Sequence, residues 1–129
     1  MKELFVPYQE SLELKELEFD EDCIATYEEG DFDFNYDGDL VKNSECPLEF
    51  CTAPLFSQIF KWFRNKHNLD SFCRALEISG KSYWKISKLY DDGNVKGYSG
   101  FKDNYEKAEL GCIRELIEIL KSKKNENNI

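Results

Sequence analysis

The sequence predicts an α+β fold: an antiparallel sheet of four to six strands with three helices, in the order α-β-β-(β)-α-β-β-(β)-α. Three observations carry this prediction. Apolar residues recur at helical spacing in three separated stretches, near the start, at residues 53–69 and from 104 onward. Between the stretches lie short runs of alternating or β-branched and aromatic residues. Those runs are joined by Gly-containing turns too short for parallel crossovers, so the strands pair as antiparallel hairpins.

The first helix starts at Pro7, whose missing N–H costs nothing in a first turn. From Tyr8 to Leu17 it puts Tyr8, Ser11, Leu12 and Leu14 on one face and Glu10, Glu13 and Glu16 outside. Cys23 to Tyr27 reads as a strand, and Glu28-Glu29-Gly30 as a turn with Gly30 free to take positive φ. Asp31 to Tyr36 alternates aromatic with acid or amide, the period of a strand buried on one side. Asp37-Gly38 is a two-residue hairpin turn that leads to a short partner over Asp39–Lys42.

The central helix begins at Thr52 or Ala53 with Pro54 in its first turn. Leu55, Phe56, Ile59, Phe60, Trp62 and Phe63 span roughly 160° of its wheel, and Asn68 stops it. A second hairpin pairs Phe72–Ile78 with Tyr83–Tyr90 across Ser79-Gly80-Lys81-Ser82, and Asp91-Asp92-Gly93-Asn94 turns into Val95–Tyr98. The last helix runs from Asn104 to about Lys121, with Cys112 on its apolar face and Lys107, Gly111 and Arg114 opposite. Residues 1–121 form one domain on this reading, and 122–129 a flexible polar tail.

Composition narrows the function classes. No apolar run approaches the ~20 residues that span a bilayer, and no long apolar leader follows Met1, so a soluble, cytoplasmic protein is expected. The net charge of −9 is unevenly placed: residues 1–50 hold 3 Lys and 16 Asp/Glu, or −13, and residues 51–129 hold 14 Lys/Arg and 10 Asp/Glu, or +4. The acidic whole argues against nonspecific nucleic-acid or membrane binding. Five cysteines and one histidine, His67, show no zinc spacing, so reduced structural thiols and no metal or cofactor are expected.

Three patches, with the lengths between them, resemble a family of small proteins encoded by phages and prophages of Bacteroidetes bacteria, one that carries no assigned activity. The first is Pro7 with Leu14-Lys15-Glu16-Leu17, Phe19-Asp20-Glu21 and Cys23. The second is Ala53-Pro54-Leu55 with Gln58, Phe60, Trp62-Phe63-Arg64 and Lys66, and the third is Tyr105-Glu106-Lys107-Ala108-Glu109 with Cys112 and Leu116-Ile117-Glu118. The resemblance implies a phage or prophage origin and an intracellular setting. Where that family has Gly after its first helix, this chain has Glu18, so a different helix end is expected here.

The candidate sites are two. Asp31, Asp33, Asn35 and Asp37 repeat every ~6.8 Å along one strand face, and with Asp39 they offer a negative surface to a protein that itself binds nucleic acid. Asp33-x-Asn35-x-Asp37-Gly38 also matches half of a calcium loop, but its twelfth position is Ser44 rather than a carboxylate. The alternative is an enzyme or ligand pocket near Arg64, His67 and Glu109, with Glu109 in the apolar arc of the last helix. No Ser/His/Asp order or Gly-rich phosphate loop accompanies it. A basic strip of Arg64, Lys66, Lys81, Lys85 and Lys88 beside aromatics is a third arrangement, ranked below the acidic surface. The sequence therefore reads as a small accessory protein that binds a host or phage macromolecule, in the first place a protein.

Overall fold

The computed structural model describes residues 1–76, 79–90, 93 and 95–127. In chain order its helices and strands are α1 (Tyr8–Glu16), β1 (Ala25–Glu28), β2 (Asp31–Phe34), β3 (Phe50–Thr52), α2 (Phe56–His67), β4 (Leu69–Ala75), β5 (Ser82–Leu89), β6 (Val95–Lys102) and α3 (Tyr105–Asn127). The class is α+β with antiparallel pairing throughout, but the strands form two three-stranded sheets, ordered β2-β1-β3 and β4-β5-β6. The chain likewise divides into two compact units, Met1–Gln58 and Ile59–Ile129, where one domain over 1–121 was expected.

In the first unit Pro7 caps α1 in an extended conformation, and Ser11 and Tyr27 hydroxyls both donate to the Val6 carbonyl, at 3.0 and 2.8 Å. The end of α1 departs from expectation. Glu18 takes the left-handed conformation at φ 71, with Phe19 N donating to Leu14 O (3.0 Å) and Glu18 N to Lys15 O (3.1 Å). That is the Schellman pairing, formed here without glycine because Phe19 is drawn into the core. Glu10, placed outside by the wheel, is buried.

Glu29 and Gly30 both have positive φ, as a two-residue type I′ hairpin requires, and join β1 to β2. Phe32 and Phe34 turn inward onto Phe5, with ring centres at 5.1 and 6.4 Å. The Asp37-Gly38 turn does not build the expected hairpin over Asp39–Lys42; Val41 makes a single bridge to Cys23. The third strand is instead β3, beside β1. Buried Asn43 holds it, accepting from Thr52 N and donating to Phe19 O, both at 2.8 Å. Thr52 is thus in a strand, and α2 starts at Phe56 with Pro54 before it.

Ile59, Trp62 and Phe63, with Phe56 at the helix start, are the buried stripe of α2, while Phe60 is half-buried, so the arc is narrower than the wheel suggested. Asn68, at φ 55, ends the helix and feeds β4 directly. Strands β4, β5 and β6 form a meander, and α3 packs across all three. Trp84 and Ile86 of β5 and Ala108, Cys112, Ile113 and Leu116 of α3 are all buried, and the two elements are in contact. Gly111, expected on the polar side of α3, faces Trp84: an added Cβ would lie 3.1 Å from its Nε1. The last helix is capped by Asn104, whose Oδ1 accepts from Lys107 N at 2.8 Å, and it continues past Lys121 to Asn127. Glu77 and Ile78 of the expected strand Phe72–Ile78, Asp91, Asp92 and Asn94 of the expected turn, and Asn128 and Ile129 of the expected tail lie outside the described residues.

Candidate functional site

Residues 51–58 carry no charge, so the −13 of the N-terminal half belongs to the first unit and the +4 to the second. Within the first unit the pleat of β2 separates the faces. Phe32 and Phe34 are half-buried and Asp31 and Asp33 are exposed. Beyond the strand Asn35 does not join the acidic row: its Nδ2 donates to Asp39 O at 3.0 Å. Asp37 Oδ1 accepts from Asp39 N at 3.2 Å, so these two residues shape the turn while their charges stay exposed. Tyr36 is 84% exposed and Leu40 53%, which places apolar surface among the carboxylates. Among the described residues no group of three or more His, Cys, Asp or Glu side chains is placed to hold a metal ion.

Arg64, His67 and Glu109 lie in the second unit but in three different surroundings. Arg64 is exposed and lines an open cleft of about 380 Å³ with Asn68, Asp70, Ser87 and Val95. His67 stands against Trp62 and Phe63 at ring distances of 4.7 and 6.0 Å, its Nε2 buried without a hydrogen-bond partner. Burial, then the charges of Lys123, Lys66 and Lys124, hold its pKa below the usual imidazole value. Glu109 is raised by burial and by Glu106, and its neighbours are Cys73, Cys112 and Tyr105.

The pairing of Cys73 with Cys112 has no signal in the sequence, since their separation follows no motif. The two thiols interact, which lowers the pKa of Cys73 and, together with burial, drives that of Cys112 far up. Cys73 is therefore the thiol of the pair that ionises first. Neither the cleft beside Arg64 nor the one against α3 that holds Lys88 and Tyr90 is lined by Cys73, Cys112 or Glu109, and the one imidazole, that of His67, is not among the groups that act on Cys73. A second open cleft, about 350 Å³, lies against α3 and includes Lys88, Tyr90, Lys96 and Tyr98. Its lysines rest on its tyrosine rings, Lys88 Nζ 4.9 Å from Tyr90 and Lys96 Nζ 5.3 Å from Tyr98, and Glu115 and Glu118 line the same space.

The basic strip expected from sequence is divided by the sheet. Trp84 and Ile86 belong to the α3 side, while Tyr83 and Lys85 belong to the opposite side with Phe72, Arg74 and Phe101. Phe72 is 44% exposed and Phe101 64%. The Tyr83 ring centre lies 5.9 Å from that of Phe72 and 5.8 Å from that of Phe101. No protein-family model matches the chain, and no curated protein or solved structure matches it.

Proposed function

We propose that the protein acts by binding rather than by catalysis, with the acidic β1–β2 hairpin and the turn after it as the contact for a protein of basic surface. The observation that carries this reading is the concentration of 16 carboxylates against 3 lysines in one folded unit, with Asp31, Asp33, Asp37 and Asp39 exposed around Tyr36. Complementary charge steers encounter and rejects acidic competitors. An exposed Tyr beside it supplies the kind of anchor on which interface energy concentrates. A surface built to hold phosphates is the basic partner such a row fits best, and the phage or prophage origin that the resemblance implies is consistent with a partner in the host cytoplasm. No helix among the described residues is long and apolar enough to cross a membrane. The dispersal of Arg64, His67 and Glu109 weighs against the ligand-pocket alternative.

The test is affinity purification from host cells with the wild-type chain and with a variant carrying Asp→Asn at 31, 33, 37 and 39. Asn keeps the side-chain oxygen that Asp39 N uses, so the turn survives. A partner held by the wild type at physiological salt should be bound at least roughly tenfold more weakly by the variant. Equal retention by both proteins overturns the acidic-surface reading. A metabolite that raises the melting temperature while no protein is retained favours the ligand pocket instead.

A further inference from the structure

We propose that the outer face of the β4-β5-β6 sheet is a binding platform for single-stranded nucleic acid. α3 covers only the inner face, where Trp84 and Ile86 are buried. The strand register fixes what lies on the other side. Arg74, Tyr83 and Phe101 stand directly opposite one another across the three strands, and Phe72, Lys85 and Ser99 form the adjacent row. Asp70, Ser87 and Gly97 form the row after that.

Three aromatic rings, one from each strand, therefore run across the sheet in contact, with Phe72 and Phe101 both exposed. Cross-strand ring contacts contribute only modestly to a sheet, and a solvated face is served as well by Thr, Lys or Glu without exposing rings to water. Every base has a π-face, so exposed rings on a sheet accept bases whatever their sequence. Paired bases hide those faces in the duplex stack, and the platform accordingly selects single strands.

The cations are where the phosphates of a stacked strand require them. The Arg74 guanidinium lies 5.7 Å from the Phe72 ring centre, at the edge of the ladder, and exposed Lys85 stands directly opposite Phe72, in the row next to Tyr83. Asp70, two rows from Phe101, is the one carboxylate among the described strand residues of this face. The whole-chain charge of −9 is no objection, because the unit that holds the platform carries +4. A protein partner for the same surface would favour a larger aliphatic area than exposed Val95 supplies.

The experiment is fluorescence anisotropy of the full chain with a fluorescein-labelled 12-nucleotide oligo-dT, an oligo-rU of the same length and a 12-base-pair duplex, each in 50 and 200 mM salt. The single strands should bind at least tenfold more tightly than the duplex. Phe72→Ala and Phe101→Ala should each weaken binding roughly 5- to 150-fold, and Phe101→Tyr, which keeps the ring, should restore it. Arg74→Ala and Lys85→Ala should each flatten the salt dependence by about 0.7 in the log–log slope, and Lys61→Ala on α2 should leave binding unchanged. Melting temperatures of all variants separate lost binding from lost fold. No binding by either single strand up to 100 μM in 50 mM salt overturns the proposal, as does equal binding by Phe72→Ala, Phe101→Ala and the wild type. Sedimentation showing a dimer that Phe101→Ala dissociates, with no oligonucleotide bound, assigns the face to self-association and also overturns it.

Discussion

Trp84 shows how far a single side chain organises the second unit. Its indole lies over Gly100 on β6 and under Gly111 on α3: a Cβ at Gly100 would stand 2.7 Å from the ring, and one at Gly111 3.0 Å from the Lys102 side chain and 3.1 Å from the indole nitrogen. A glycine inside a helix or strand costs about 0.5–1 kcal/mol relative to alanine, so two glycines touching one indole mark a packing requirement. Gly100→Ala must move a buried Trp or the strand beneath it, and it should destabilise the protein by about 1–3 kcal/mol. Gly97, two residues earlier, would bring a Cβ no closer than 3.9 Å to the Ile86 carbonyl, so Gly97→Ala is the matched control and should be neutral or slightly stabilising. Urea unfolding of the two variants decides it; equal stabilities would remove Trp84 from this role. The wheel misplaced Gly111 because a helical projection ranks residues by polarity, and a glycine that admits a ring from another element has no polarity to read.

At the scale of elements, what the sequence made legible was whatever depends on local pattern. The alternation of Asp31 to Phe34 correctly separated the faces of β2, and that of Tyr83 to Ile86 separated those of β5. Gly30 takes the positive φ read from its type, and Asn68, expected to stop the central helix, does so at φ 55. What failed was set by distant partners. β3 is three residues long and exists because β1 and Asn43 satisfy its backbone, a fact no window around Phe50 contains. The Cys73–Cys112 contact is of the same kind, since it follows from β4 lying under α3. The end of α1 lies between these cases. Glu18 holds φ 71 under tertiary constraint, at a cost of about 1 kcal/mol that glycine would avoid, and its carboxylate sits at the negative end of the helix dipole. Glu18→Gly should therefore raise stability by about 1 kcal/mol, seen as a higher urea midpoint at unchanged slope. An unchanged or lower midpoint would show that the Glu18 side chain offsets the backbone strain.

The whole molecule is two units of opposite charge, and that division has a consequence for stability that neither unit shows alone. In residues 1–58 the 16 carboxylates face 3 lysines, so compaction of that unit works against its own repulsion. The 14 cations and 10 anions of residues 59–129 nearly balance, and that unit has little repulsion to relieve. At 20 mM salt the Debye length is about 20 Å, long enough for most carboxylates of a small unit to sense one another; at 0.5 M it falls to about 4 Å. Added sodium chloride should therefore slow amide exchange in β1, β2 and α1 markedly, and in β4 to β6 much less. Hydrogen–deuterium exchange of peptides from each unit at the two salt concentrations measures this directly, because local opening free energies are read segment by segment. The apolar cores of both units also tighten in high salt, so the comparison rests on the difference between them and not on the rise itself. Equal protection gained by both, or a larger gain in the second, would mean that the acids of the first unit are already well solvated and cost its fold nothing.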